Sequence, residues 1–226
     1  MGRMELSEIL RTTAAVREFT DEPVGDDVLW RILDNARFAP SGGNRQGAHI
    51  VVVRDQNTRK RLVELMAPAA RRYAAQMAVG ENPWNTVVPT RVTAGEIAAT
   101  GVPTHFARPL LTAAALVVVT VDLSVVAATD SELDRVGVVA GGSVYPLAWN
   151  VLLAARQEGL GGTFTTMAVA EEPAVQELLH IPEQHAIACI IPLGHPVRQV
   201  TRLRRQAVAD FVTLESFDGP PLAGSR

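Results

Sequence analysis

Two short polar turns carry the side chains best suited to hold a flat, polar ligand. The first, Ala39-Pro40-Ser41-Gly42-Gly43-Asn44-Arg45-Gln46, follows an amphipathic helix pattern and runs into the apolar stretch Ile50-Val51-Val52-Val53. Gly, Ser, Asn and Gln at that density put hydrogen-bonding side chains beside exposed backbone, which recognition of a polar heterocycle requires. The second, Thr163-Phe164-Thr165-Thr166, follows the breaker Gly159-Leu160-Gly161-Gly162. Arginines form a third group: Arg11 and Arg17 bracket an irregular segment, and Arg198, Arg202, Arg204 and Arg205 crowd the far end of the chain. Guanidinium forks recognise phosphate oxygens, so these two groups could meet on one phosphate. Two solvated basic loops are the alternative.

Recognisable patterns for acid–base, nucleophilic or metal chemistry are missing. The chain has no G-x-G-x-x-G after a strand pattern, no G-x-x-x-x-G-K-[ST], no H-E-x-x-H and no G-x-S-x-G. His49, His105, His180, His185 and His195 are scattered without metal-ligand spacing. Asp26-Asp27 and Glu171-Glu172 read as helix starts, where the helix dipole favours acidic groups. Cys189 is the only cysteine, so no intrachain disulfide can form, and its neighbours Ile187-Ala188 and Ile190-Ile191 suggest a core thiol. No residue is assigned as catalytic and no metal is expected. Ligand-like turns in a chain without an acid, base, nucleophile or metal of its own point to a bound cofactor that carries the chemistry.

The elements that must position these residues alternate between helix and strand patterns. Leu6, Ile9 and Leu10 mark a short helix ending near Arg11, and Arg11 to Phe19 is irregular. Asp26 is a candidate N-cap for a helix with Val28, Leu29, Ile32, Leu33 and Ala36 on one face, stopped by Pro40. A strand follows at about 49–53, then a helix from Thr58 into the late seventies. From Gly80 to Pro109 repeated Pro and Gly leave room only for short helical pieces, the pattern of a lid or binding loop that carries Trp84, His105 and Phe106. Residues 113–121 read as a buried strand. A broad apolar helix with Val144, Leu147, Ala148, Val151, Leu152 and Ala155 then begins at a Ser143 cap, with Pro146 in its first turn. A short helix near Pro173, a strand at 186–191, the Gly194-His195-Pro196 turn and a basic tail with the apolar run 208–214 complete the chain. The interleaving makes the domain α/β or α+β.

The chain is 226 residues long, with 47% hydrophobic and 20% charged residues, enough for a full core in one domain. A net charge of −3 argues against a nucleic-acid protein on bulk electrostatics. Residues 1–10 lack the apolar core of a signal peptide, and the longest apolar stretch falls far short of the roughly 20 residues that span a bilayer. A cytoplasmic protein without a membrane partner is the expectation.

Taken in order, Arg11-Thr12-Thr13-Ala14-Ala15-Val16-Arg17-Glu18-Phe19, Pro23-Val24, Leu29 and the 39–46 turn resemble the N-terminal signature of the nitroreductase family of flavin enzymes. The resemblance continues through Trp149-Asn150-Val151-Leu152-Leu153-Ala154-Ala155, Gly159 to Gly162 and Pro192-Leu193-Gly194-His195-Pro196. It implies an α+β fold, a sheet flanked by helices, in an interlocked homodimer whose C-terminal segments cross between subunits. The single domain would cover 1–226, with a lid-like loop at about 80–109 and an arm at about 197–226. Each subunit interface would hold FMN, reduced by NADH or NADPH and reoxidised by a small electron-poor acceptor such as a nitroaromatic or quinone.

By position the resemblance assigns cofactor contacts to Arg11, Thr13 and Arg17, to Pro40 and Ser41 from the other subunit, and to Asn44 and Gln46. It assigns further cofactor contacts to Thr165, Thr166 and Met167, and phosphate closure to Arg204 and Arg205. Trp84, His105 and Phe106 are the substrate-binding candidates. Ala14-Ala15 stand where many relatives have Arg-Ser, and Gly47-Ala48 where an aromatic is common. Same-fold dehalogenation, flavin fragmentation or azoline oxidation, a flavin-sequestering protein, and a cofactor-free interaction domain are the competing expectations.

Overall fold

A computed structural model describes residues 4–224 of the chain. Its centre is a four-stranded antiparallel sheet of β1 (Ala48–Val53), β2 (Ala115–Asp122), β3 (Gly161–Gly162) and β4 (His185–Gly194), in the order β1-β2-β4-β3. The strand expected at 113–121 is β2, at the centre of the sheet and shielded from solvent along almost its whole length. Side chains on a strand alternate between faces. Accordingly Ala115, Val117, Val119 and Val121 join one core cluster, while Leu116 and Val118 join the other. That double burial explains why its sequence is a continuous apolar run.

Seven helices among the described residues flank the sheet: α1 (Leu6–Thr12), α2 (Asp26–Ala36), α3 (Gln56–Ala78), α4 (Ala94–Ala99), α5 (Thr104–Thr112), α6 (Tyr145–Gln157) and α7 (Glu172–Leu179). The first cluster packs Leu29, Ile32 and Ala36 of α2 with Ala148, Val151, Leu152 and Ala155 of α6. The second packs Leu62 and Met66 of α3, Leu110 of α5 and Val175 of α7. No helix here is long and apolar enough to cross a membrane.

Two expected caps are corrected. Gly25, not Asp26, is the N-cap of α2, because the Asp26 carboxylate is drawn outward to the Arg54 guanidinium at 2.6 Å. Val144 rather than Ser143 occupies the N-cap of α6; the Ser143 hydroxyl instead accepts the Gly42 N–H at 3.2 Å, tying the first polar turn to the head of α6. The helix expected from Thr58 starts two residues earlier, since Asp55 caps it by accepting the Thr58 N–H at 2.7 Å.

The Gly80–Pro109 region contains α4 and part of α5, joined by ordered loops. Glu81 accepts hydrogen bonds from the Thr90 hydroxyl at 2.6 Å and the Arg91 N–H at 2.7 Å. Arg72 lies over the Trp84 ring, 4.0 Å from its centroid, and the Gln76 amide oxygen accepts the Trp84 N–H at 3.2 Å. Thr93 and Glu96 form a capping box that starts α4.

Candidate active site

The first irregular segment is positioned by the edge of the sheet. Ala15 pairs with Gly162 in a parallel bridge, the Val16 N–H donates to the Gly162 carbonyl at 2.9 Å, and Phe19 pairs with Pro196. Glycine is required at the contact: a Cβ on Gly161 would lie 2.5 Å from a Val16 methyl, and one on Gly162 would lie 2.7 Å from the Pro192 carbonyl oxygen. Two stretches almost 150 residues apart thus run side by side. On the far side, Thr165 exchanges both backbone hydrogen bonds with Ile190 of β4, at 2.9 and 2.8 Å, which anchors the second polar turn.

A cavity of about 210 Å³ opens where these segments meet α3 and α5. Arg17, Thr165, Thr166 and Met167 from the cofactor candidates line it together with His105 and Phe106 from the substrate candidates. Tyr73 and Phe164 share the lining; neither stood out in the sequence as more than an apolar or turn position. The Tyr73 and Phe106 rings meet edge to face, 5.3 Å apart at 75°, and His105 lies 4.2 Å from Phe106. A guanidinium, three threonines (Thr163, Thr165 and Thr166) and an aromatic wall suit a planar polar ring better than a compact ion.

The other candidates lie elsewhere on the chain. Pro40, Ser41 and Gln46 border a separate hollow of about 140 Å³ with Ser143 and Leu147. There the Ser41 hydroxyl accepts the Gln46 N–H at 3.0 Å, and Gly43, Asn44 and Gln46 all adopt positive φ. Left-handed backbone is costly for Gln46 and better tolerated by Asn44, whose short side chain suits such turns. Arg204 and Arg205 border a third hollow with Val208 and Phe211. Trp84 stacks on Arg72 and lines none of these hollows, and Arg11 projects into solvent from α1.

Thr13 is 6% exposed, and its hydroxyl donates to the Ile9 carbonyl at 2.8 Å, closing the last turn of α1. Thr12 is also buried; it donates to the Glu8 carbonyl at 2.7 Å and accepts from Arg156 Nε at 3.1 Å. Cys189 is fully enclosed between the strands and helices of the first cluster, and burial pushes its thiol up to about 12, so it is a core group. Among the described residues, no cluster of three or more His, Cys, Asp or Glu could hold a metal ion.

Comparison with known proteins matches residues 10–195 to the nitroreductase family. A protein of Archaeoglobus fulgidus, provisionally named NADH dehydrogenase/NAD(P)H nitroreductase, is 26% identical over 204 residues, covering 85% of this chain and 86% of its own. Among solved structures, iodotyrosine deiodinase bound to FMN and 3-iodo-L-tyrosine superposes with a TM-score of 0.67 at 21% identity, covering 94% of this chain and all of its own. The NADPH:FMN oxidoreductase of Vibrio harveyi in complex with NAD+ gives a TM-score of 0.64 at 20% identity, over 94% of this chain and 77% of its own. At these identities the superpositions establish a shared fold.

Proposed function

Because the chain belongs to the nitroreductase family, we propose that it is an FMN-dependent oxidoreductase that passes hydride from NADH or NADPH to a small electron-poor acceptor, a nitroaromatic or quinone. The observation that carries this reading is the junction of the segment before Phe19 with the turn after Gly162, which brings Arg17, Thr165, Thr166 and Met167 to one cavity.

The donor set fits the ring end of FMN: three threonines and one guanidinium beside apolar surface. Its phosphate end finds fewer partners in the first segment. Thr12 and Thr13 have spent their hydroxyl protons on helix carbonyls, and Ala14-Ala15 carry no side-chain donor. Arg11, Arg204 and Arg205 are the remaining cations of the assigned set.

The bound FMN would supply the redox chemistry, taking hydride from a reduced nicotinamide and giving it to the acceptor. The chain's own work is positional and electrostatic. Arg17 would place a cation where negative charge develops, the threonines would orient the ring, and the aromatic wall would limit water access. Solvent can deliver the proton, so no side chain need act as an acid.

A cavity of 210 Å³ is smaller than the roughly 300–1,000 Å³ of ordinary ligand sites. A second copy completes it in this proposal, presenting Pro40 and Ser41 to its neighbour and exchanging the arm. Consistent with exchange, residues 197–224 contain no fully buried residue, and Phe211 is 65% exposed.

The test is a visible spectrum of the FMN-loaded protein under anaerobic conditions. The flavin band is expected to bleach with NADH or NADPH and to return on adding a nitroaromatic or a quinone. Bleaching without reoxidation by any such acceptor would overturn the acceptor class; no bleaching with either nicotinamide would overturn the oxidoreductase reading.

A further inference from the structure

In sequence Tyr73 is one more apolar position on α3, yet its ring lines the same cavity as Arg17, Thr165 and Thr166. It is half-buried and meets Phe106 of α5 edge to face, while Phe106 in turn packs against His105. Three rings from two helices therefore form one continuous aromatic surface on a cavity otherwise lined largely by threonines and prolines. The turn of α3 that carries Tyr73 is anchored on one face by Trp84. Arg72 stacks on Trp84, and Gln76, 2% exposed, accepts the Trp84 N–H. The helix turn is thus anchored beside Tyr73, and the ring itself packs on Phe106, so a ligand meets an aromatic surface already assembled.

We propose that Tyr73 is a specificity-determining residue, one ring of an aromatic wall that selects planar aromatic acceptors over compact non-aromatic ones. This rests on the oxidoreductase reading above. The ring face supplies the selection, because flat π-systems gain from stacked or edge-to-face contact with an aromatic side chain and a compact complex ion does not.

The experiment compares kcat/KM for 1,4-naphthoquinone and nitrobenzene with kcat/KM for ferricyanide, in full-length FMN-loaded protein and its Tyr73→Leu and Tyr73→Phe variants. A ratio between acceptors does not depend on how much of a variant is folded. Tyr73→Leu is expected to lower the aromatic-to-ferricyanide ratio about 3- to 10-fold, the span of one aromatic contact. Tyr73→Phe is expected to restore the ratio to within about twofold, since it keeps the ring. An unchanged ratio in Tyr73→Leu, or a Phe variant that fails to restore it, overturns the proposal while leaving the oxidoreductase reading intact. Absence of flavin bleaching in the unmodified protein overturns both.

Discussion

Thr13 illustrates how one hydrogen bond decides what a side chain is free to do. Its position in the motif makes it a ligand candidate, but its hydroxyl proton goes to the Ile9 carbonyl, which also accepts the Thr13 backbone N–H at 2.9 Å as α1 ends. With Ala14-Ala15 beside it, the segment depends on its arginines for any charged side-chain contact with phosphate. Ala14→Arg is therefore expected to tighten FMN binding about tenfold, as one charge-assisted hydrogen bond of at least ~1.5 kcal/mol would. Quenching of FMN fluorescence on titration measures this; unchanged or weaker binding would count against a phosphate site at this segment. The turn at 39–46 shows the opposite case. Its composition marks a polar turn, and the structure adds positive φ at Gly43, Asn44 and Gln46.

Arg59 matters at the scale of whole elements. It is 1% exposed, and its guanidinium donates to the carbonyls of Ala113, Ala114 and Val53, at 2.5, 2.9 and 3.3 Å. One side chain of α3 thus closes the end of β1 and the start of β2 on each other. Arg59→Met removes those donors and leaves buried carbonyls unpaired, so stability should fall by about 3 kcal/mol. Urea unfolding should show a lower midpoint with an unchanged slope; a shift below about 0.5 kcal/mol would mean that water replaces the guanidinium. Nothing in the sequence marks Arg59, because an arginine on a helix is ordinarily solvated and only the approach of two strand ends encloses it. The helices were more legible. Apolar spacing located α2, α3 and α6, while α4 was obscured by the density of Pro and Gly around it even though Thr93-Ala94-Gly95-Glu96 follows the capping-box pattern.

At the scale of the whole molecule, one chain spreads the assigned residues over three separate surfaces: the Arg17 cavity, the Ser41 hollow and the arginine arm. If two copies complete each other's sites, defects on different surfaces should complement. A Ser41→Trp chain and an Arg17→Glu chain, each inactive alone, are expected on mixing and exchange to regain activity, because the mixed dimer contains one site with neither defect. Absence of recovery, with mixed dimers verified by mass, would refute a shared site. The sequence by itself determined the interleaving of helices and strands, the buried strand at 113–121 and, through the ordered motifs, the family resemblance with its α+β class, since these rest on local periodicity and on motifs whose order survives in the linear chain. Tertiary structure alone decided that Arg17 and Thr165 share a cavity, that Tyr73 and Phe106 form its wall, and that Thr13 and Trp84 lie outside it. Those outcomes depend on which distant segments the sheet edge and helix packing bring within a few ångströms, and no local pattern encodes such distances.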